Sequence, residues 1–352
     1  MKGLGVMAGA ILTLLVHLGG CKKDSVGPPP SKNPREYSWT VDTLAYPGSL
    51  QTLMRHAWGS SSSNIYICGH NDTRYGNMYH WNGQSWTNVR LHVSEGGTLT
   101  SIGYFEGIVG FSSETIYAAG IGQDFRSFLI QFNGSQWREI NVLNGRGLLS
   151  IWGRSPNDIL IGGLDGYLAR YNGHQFARDS VPYTFDSTGM NIQVSQITGD
   201  NSAVHLVLAV SPDTLFNPIF YFYERIGAQW EIRDSSYEFA RLFIDPAGTV
   251  YRYGYDGVQR RQGSSWVSTL SGLIVGRNGM AASNSSNMFV AGNAGPSFAG
   301  RVYHYNGSDW FEYPQLRLAD VSFQAVWTDG REAFAIGWTS GSPMKTVVLH
   351  GK

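Results

Sequence analysis

The side chains of this chain that could do covalent or metal chemistry are few and widely spaced. The chain contains no His-Glu-x-x-His motif of zinc proteases, no Gly-x-x-x-x-Gly-Lys-Ser/Thr loop of phosphate-binding enzymes and no Gly-x-Ser-x-Gly turn of hydrolases. Cys68 ends the apolar run that begins at Ile65, which predicts burial as a small hydrophobic residue rather than a reactive thiol. The sequence therefore offers no motif for nucleophilic, metal-dependent or phosphoryl-transfer catalysis.

Two histidines recur at one position of a repeated pattern. His80 and His304 each stand two residues before an Asn-Gly pair, and Gln131 and Arg170 occupy the same position in two other copies. A solvated strand position accounts for all four residues, whereas a metal site would not tolerate the exchange. We therefore expect no metal and no cofactor.

A glycosidase site would need a selected set of acids and arginines. Sialidase-type chemistry uses three arginines around a carboxylate and a Tyr-Glu pair, and other glycosidases use two carboxylates at a defined separation. The arginines and acids of this chain are spread along its length, and no motif selects such a set. We expect no catalytic residue, and an enzyme is the less favoured interpretation.

The elements that would position any site are repeated hairpins. Asn-Gly between alternating aromatic strands predicts a type I′ turn, in which both turn residues adopt positive φ. The copies are Asn82-Gly83 before Trp86, Asn133-Gly134 before Trp137, Asn172-Gly173 before Phe176 and Asn306-Gly307 before Trp310, with weaker copies at Gly227 before Trp230 and Gly263 before Trp266.

Each repeat divides into four short strands, which is typical of a β-propeller blade. Seven starts of the first two strands can be aligned, but the last copy stops where its fourth strand should begin. Tyr37 to Val41 has the character of that missing strand. We predict an all-β, seven-bladed propeller over residues 37–352, closed by pairing of the N-terminal strand with the C-terminal blade; six or eight blades are the alternatives. The repeated tryptophans are expected to pack between neighbouring sheets.

This pattern of Trp-Gly, an apolar strand ending in Gly and an alternating strand into Asn-Gly-x-x-Trp resembles secreted bacterial propellers with Asp-box-type repeats. It is also similar to photosystem assembly-factor propellers and to sialidase-like repeats. Asn stands where the usual Asp box has Asp. The resemblance covers the chain from Trp39 onward and implies the fold, since its motifs are structural turns.

The first residues predict export and anchoring. Lys2 and an apolar stretch from Leu4 to Leu18 read as a signal peptide over residues 1–20, and the following Gly-Gly-Cys21 resembles a lipobox, in which the cysteine is lipidated. Residues 21–36 are rich in Lys, Ser and Pro and predict a flexible tether. We expect a lipid-anchored protein of the cell envelope, at the outer membrane, with its periplasmic or surface side left open.

Composition limits the partners. The net charge is zero, charged residues make up 15% and aromatic residues 13% of the chain, so a basic stripe for nucleic acid is absent. The expected partner is an envelope protein or a glycan, the membrane is contacted only through the lipid, and the protein is expected to be a monomer.

Loop length indicates where a ligand would bind. In a propeller, the connections between second and third strands emerge on the same face as those between blades, and here both kinds are long and variable. Aromatic, arginine and acidic residues on these loops are the candidate ligand-binding residues. They are His70, Asp72, Arg74, Tyr75, Asp124, Phe125, Arg126, Tyr183, Phe185, Asp186, Phe216, Phe298 and Trp338. The hypothesis is a binding or assembly module; the alternative is a sialidase- or lyase-like carbohydrate-active enzyme with its site at the channel mouth.

Overall fold

A computed structural model describes residues 32–73, 75–93, 97–98, 102–122, 126–142, 146–212 and 217–352. The chain from Lys32 to Lys352 is a compact unit. It is built almost wholly of β-strands, with short 3-10 helices at Pro34–Glu36 and Pro314–Leu316. No helix within the described part of the chain has the length and apolar character needed to cross a bilayer.

The strands follow one another in short antiparallel meanders. Their bounds are β1 (Trp39–Leu44), β2 (Thr52–Ser61), β3 (Asn64–Asn71), β4 (Met78–Trp81), β5 (Trp86–Asn88), β6 (His92–Val93), β7 (Gly97–Thr98), β8 (Ile102–Ser112), β9 (Thr115–Gly122), β10 (Ser127–Phe132), β11 (Trp137–Ile140), β12 (Leu148–Ser155), β13 (Asp158–Gly163), β14 (Leu168–Tyr171), β15 (Phe176–Arg178), β16 (Asn191–Gly199), β17 (Val204–Ser211), β18 (Ile219–Ile226), β19 (Gln229–Ser236), β20 (Ala240–Ile244), β21 (Val250–Gly254), β22 (Gly257–Gln262), β23 (Ser265–Leu270), β24 (Ile274–Asn284), β25 (Asn287–Ala294), β26 (Ala299–Tyr305), β27 (Trp310–Glu312), β28 (Val321–Thr328), β29 (Ala333–Thr339) and β30 (Thr346–Gly351).

Consecutive strands pair in groups of four, which we call units. The units are β2 to β5, β8 to β11, β12 to β15, β16 to β19, β20 to β23, β24 to β27, and β28 to β30 completed by β1, while β6 and β7 form a separate hairpin. Single bridges at His70↔Tyr104 and Asn278↔Ala325 link neighbouring units. The first strand of each unit contacts the unit before it, and β2 contacts β28 and β29, so the units close into a ring.

The N-terminal strand completes the last unit, as the sequence predicts. β1 pairs antiparallel with β30 from Trp39↔Gly351 to Leu44↔Thr346. The first and last units also share one apolar core, in which Met54 and Ile67 pack with Phe334 and Val348. Ring closure therefore joins the two ends of the chain and hides the sheet edge that each would otherwise expose.

The repeated aromatic residue of the fourth strand packs toward the preceding unit, which confirms its predicted structural role. Trp137 meets Tyr66 of the unit before it at 5.8 Å between ring centroids, and Trp86 meets Phe334 at 6.3 Å. Trp39 takes the same place in the closing unit, with its ring 5.1 Å from that of Tyr313. Each buried ring of this kind contributes on the order of several kcal/mol through its apolar area.

The Asn-Gly turns differ from the type I′ prediction. Gly83 has a φ of 90°, but Asn82 and its counterparts are not among the described residues with positive φ. The Asn82 N–H donates to the Ser85 carbonyl at 3.3 Å, and its Oδ1 accepts from the N–H groups of Gln84 and Ser85 at 3.0 and 2.9 Å. The loops are therefore four-residue turns that the Asn side chain holds together, and only the glycine needs the left-handed region.

The innermost strands carry β-bulges at equivalent places. The β2–β3 ladder skips Arg55, the β8–β9 ladder skips Glu106 and the β28–β29 ladder skips Gln324. In β24 the ladder is interrupted over residues 276–279. A bulge redirects a side chain out of the alternating pattern, so polar residues can reach the centre of the ring from strands that are otherwise apolar.

Candidate functional site

In each antiparallel unit, the described connections between second and third strands leave on the same face as those between units, and we call this the long-loop face. Asp72, on the loop after β3, accepts hydrogen bonds from the Ser49 hydroxyl at 2.5 Å and from the N–H groups of Leu50 and Gln51 at 3.0 and 3.2 Å. These partners belong to the connection between the last and the first units. Burial alone would raise the pKa of Asp72, but the hydrogen bonds lower it. Asp72 therefore stabilises the junction of two loops.

His70 and Tyr75 lie near this junction. The His70 ring stacks on Tyr104 with 4.5 Å between centroids, and its Nδ1–H donates to the Gly103 carbonyl at 2.9 Å. Tyr75 is exposed and contacts the ring of Tyr46 at 6.3 Å. His70 therefore holds two units together, and Tyr75 contributes exposed aromatic surface.

A second group of predicted residues lies on the connection between the third and fourth units. Tyr183 stacks on Phe185 at 5.3 Å, and Phe185 stacks on Tyr221 at 5.0 Å. Asp186 is exposed, and its Oδ1 accepts the Thr188 N–H at 2.9 Å, which together with the Thr188 side chain lowers the pKa of Asp186. This connection is a loop packed by aromatic stacking, in which the Tyr183 side chain is partly exposed to solvent.

Of the remaining candidate residues, Arg126 lies within the described part of the chain. Arg126 is exposed and forms an isolated bridge with Arg146. Arg74, Asp124, Phe125, Phe216 and the predicted lipidation residue Cys21 lie outside the described residues.

Phe298 borders a cavity on the long-loop face. This cavity has a volume of about 560 Å³ and is lined by loops of three successive units, with Tyr255, Phe298, Asp320 and Ser340 among its residues. Phe298 is 61% exposed at a positive φ of 49°, and Tyr255 is 59% exposed. Large exposed aromatic side chains beside a concave surface are typical of binding sites.

Trp338 lies near the end of β29, close to Arg55 of the inner strand β2. The Arg55 guanidinium lies 5.8 Å from the Trp338 ring and 5.7 Å from the Tyr104 ring, so two aromatic faces hold this cation. The sequence places Trp338 on a loop, but the residue lies within β29, and Arg55 and Tyr104 are not among the predicted residues.

Arg55 belongs to a cluster of charged residues on the inner strands. Glu106 is buried and accepts from Arg277 Nη1 at 2.6 Å and from Arg55 Nη1 at 3.3 Å, although Arg277 and Glu106 are 171 residues apart in the chain. Burial alone would raise the pKa of Glu106, but the His56 ring and the charges of Arg277 and Arg55 outweigh it and lower the pKa to about 2. Glu106 is therefore a permanent anion at neutral pH.

His56 and Arg241 complete this cluster. The Asn278 amide donates to His56 Nδ1 at 2.9 Å, and desolvation lowers the pKa of His56 to about 4, so the ring is neutral. Arg241 is 5% exposed; burial lowers its pKa to about 10, and it keeps its charge at neutral pH. The sequence signal for all of them is a charged residue inside an apolar inner strand, as in Leu53-Met54-Arg55-His56 and Tyr104-Phe105-Glu106.

The other residues singled out for chemistry are structural. Cys68 is fully buried and its pKa is raised by desolvation, which confirms its prediction. His304 is buried rather than solvated, a correction to the sequence prediction, because it packs against Phe289 and its Nε2–H donates to Asn287 at 3.1 Å. His80 makes the equivalent bond to Asn64 at 2.6 Å. Within the part of the chain that the structure describes, no three His, Cys, Asp or Glu residues are grouped to hold a metal.

The ring of four-stranded units places the chain in the β-propeller class, and solved structures agree. YCF48 bound to D1 peptide matches with a TM-score of 0.62 at 13% identity, over 91% of this chain and 97% of that chain. The WD40 β-propeller domain of Doa1 matches with a TM-score of 0.53 at 11% identity, over 90% and 97%. The β-propeller domain of Myceliophteria thermophila Cps50 (Swd1) matches with a TM-score of 0.57 at 10% identity, over 89% and 99%. No family model and no curated protein matches the chain.

Proposed function

We propose that this chain is a seven-bladed propeller of the bacterial cell envelope that binds a partner protein through its long-loop face. The seven units described above, with β1 completing the last one, support this blade count. The lipobox-like Gly-Gly-Cys21 supports a lipid anchor, and the protein is proposed to act as a monomer. Mass spectrometry of the mature N-terminus tests the anchor: a diacylated Cys21 is expected, and an unmodified thiol would contradict it.

One observation carries the binding proposal. The 560 Å³ cavity combines two exposed aromatic side chains, Tyr255 and Phe298, with the charged Arg277 and Asp320 on a face built from loops. Aromatic and arginine anchors beside a concavity supply most of the binding energy at protein interfaces. The propeller of similar fold, YCF48, has been solved with a bound peptide of D1, which supports protein or peptide as the class of partner.

Site-specific photo-crosslinking in the native host tests this proposal. A photoreactive phenylalanine analogue at position 298 or 255 of the full chain is expected to capture the same protein neighbour. The matched control is position 226, because Ile226 is exposed to a similar degree but precedes the tight β18–β19 turn. Capture from position 226 alone, or different neighbours from 298 and 255, would refute the assigned face.

The carbohydrate-active enzyme is a second candidate because three arginines converge near a buried carboxylate. Arg55 and Arg277 contact Glu106, and Arg241 lines the same channel. A pKa of about 2 leaves Glu106 without a proton to donate at neutral pH, so it would serve as an anchor and not as a general acid. Release of free sugar from a panel of acidic glycans by the full chain, lost in Glu106→Gln, would favour the enzyme.

A further inference from the structure

The inner strands carry more positive charge than their acids balance, and Arg241 is the fully buried part of it. Arg55, Arg241 and Arg277 are cations, Glu106 is the single carboxylate within ion-pair distance of them among the described residues, and His56 is neutral. The cluster therefore has a net charge of about +2. Buried charge without a counter-charge is costly, so a structure that keeps it has a reason to do so.

Arg241 is the least satisfied member of this cluster. It is 95% buried, and its Nη2 donates to the Ser195 carbonyl at 3.2 Å, while its Nε–H has no hydrogen-bond partner. The Nε of Arg55 is also buried without a hydrogen-bond partner, and the Nε2 of His56 forms no hydrogen bond, since it lies 3.9 Å from Glu106 Oε2. Arg55 and His56 are neighbours on β2 and Arg241 lies on β20, so two inner strands supply these donors, and His56 and Arg241 both line one space.

That space is a cavity of about 180 Å³ in the channel. Its lining includes His56, Glu106, Ser150, Gln196, Arg241 and Asn278. Ser150 and Gln196 are already engaged, because the Ser150 hydroxyl accepts the Ile197 N–H at 2.8 Å and the Gln196 amide bonds both backbone groups of Leu242. Arg241, His56 and the O–H of Ser150 remain as donors, and the volume exceeds that of several water molecules.

Guanidinium groups recognise small oxyanions through paired N–H donors, and positive charge at low dielectric strengthens that recognition. We propose that the central channel is a binding site for a small multivalent oxyanion, a phosphate, sulfate or dicarboxylate, held by Arg241 and the neighbouring Arg55 and His56. Glu106 keeps Arg55 and Arg277 in place and leaves Arg241 for the ligand. Arg277 also lines the larger cavity on the long-loop face.

Calorimetric titration of the full chain with sodium phosphate, sodium sulfate or sodium malonate, at ionic strength fixed with sodium chloride, tests the proposal. At least one of the three anions is expected to bind saturably with one site per chain. Arg241→Met should weaken that binding at least tenfold, and Arg146→Met should leave it unchanged, because Arg146 is largely exposed and paired with Asp165. Absence of saturable binding by all three anions, or equal affinity in Arg241→Met, would overturn the site.

A second measurement on the unaltered protein covers the case in which Arg241→Met does not fold. In ¹⁵N-labelled protein, the anion that binds should shift the Nε–H resonance of a buried arginine. The shift should saturate at the same anion concentration as the heat released in the calorimetric titration. The Nε–H resonances of exposed arginines should stay in place. Shifts confined to exposed arginines would place the anion on the surface and contradict the channel site.

Discussion

The imidazole of His304 shows how a single buried residue couples stability to pH. Desolvation lowers its pKa from 6.5 to about 4 in the folded chain. Between these two values the unfolded chain binds a proton that the folded chain does not, so stability is present above pH 6.5 and is lost as the pH falls toward 4. The loss from this residue is up to about 3 kcal/mol.

His304→Gln should therefore flatten the pH dependence of unfolding between pH 6.5 and 4, because glutamine keeps a donor for Asn287 but does not titrate. Urea unfolding of the variant and the parent at pH 7.0, 5.5 and 4.5 measures this. His80→Gln is the matched control, since His80 occupies the same repeat position in another unit but is only half-buried. An equal flattening in both variants would show that burial of His304 is not the cause.

The sequence singled out aromatic residues of this region but not its charges. Phe298 could be singled out because it lies between two strands, where loop length and composition can be read from the sequence, whereas Trp338 falls within β29 and not on the predicted loop. Arg55 and Glu106 could not be placed, because whether a bulge turns a strand residue toward the channel depends on ladder geometry that no local pattern encodes. Arg277 meets Glu106 only because the ring closes.

The hairpin turns are the elements whose position was predicted correctly and whose conformation was not. Asn-Gly marks the end of the third strand in four units, but the loop has four residues and the Asn side chain accepts two backbone N–H groups. Asn-Gly is compatible both with a two-residue type I′ turn and with the four-residue turn of the structure. The residues between Gly and Trp decide the loop length. Gly307 at a φ of 97° is the position that demands glycine.

Replacement of Asn306 distinguishes the two turn types. Asn306→Gly should lower the free energy of unfolding by about 1–2 kcal/mol, because the bonds from the N–H groups of Ser308 and Asp309 are lost. A type I′ turn would instead tolerate or favour glycine there. Asn306→Asp keeps the acceptor and should stay within about 0.5 kcal/mol of the parent. If urea unfolding shows that Asn306→Gly is more stable than the parent, the result would contradict the four-residue turn and support type I′.

For the whole molecule, the sequence predicted the order of the units. The structure shows how these units pack against one another and which side chains meet at the centre of the ring. Four strands per repeat and a missing final strand were sufficient to predict that β1 would complete the last unit. The predicted aromatic packing extends around the ring, from Trp137 against Tyr66 to Trp39 against Tyr313. The charged channel arises only when all inner strands meet, which is why no segment of the chain revealed it.

Closure of the ring within one chain is the claim on which the channel and the long-loop face both depend, and a designed disulfide tests it most directly. Thr43 and Val347 are register partners in the β1–β30 pair, so Thr43→Cys with Val347→Cys should oxidise to one intramolecular link. The Thr43→Cys single variant is the control. Non-reducing mass mapping should show residues 43 and 347 joined in a monomer. A failure to form this link, or a link between two chains, would contradict the closed ring.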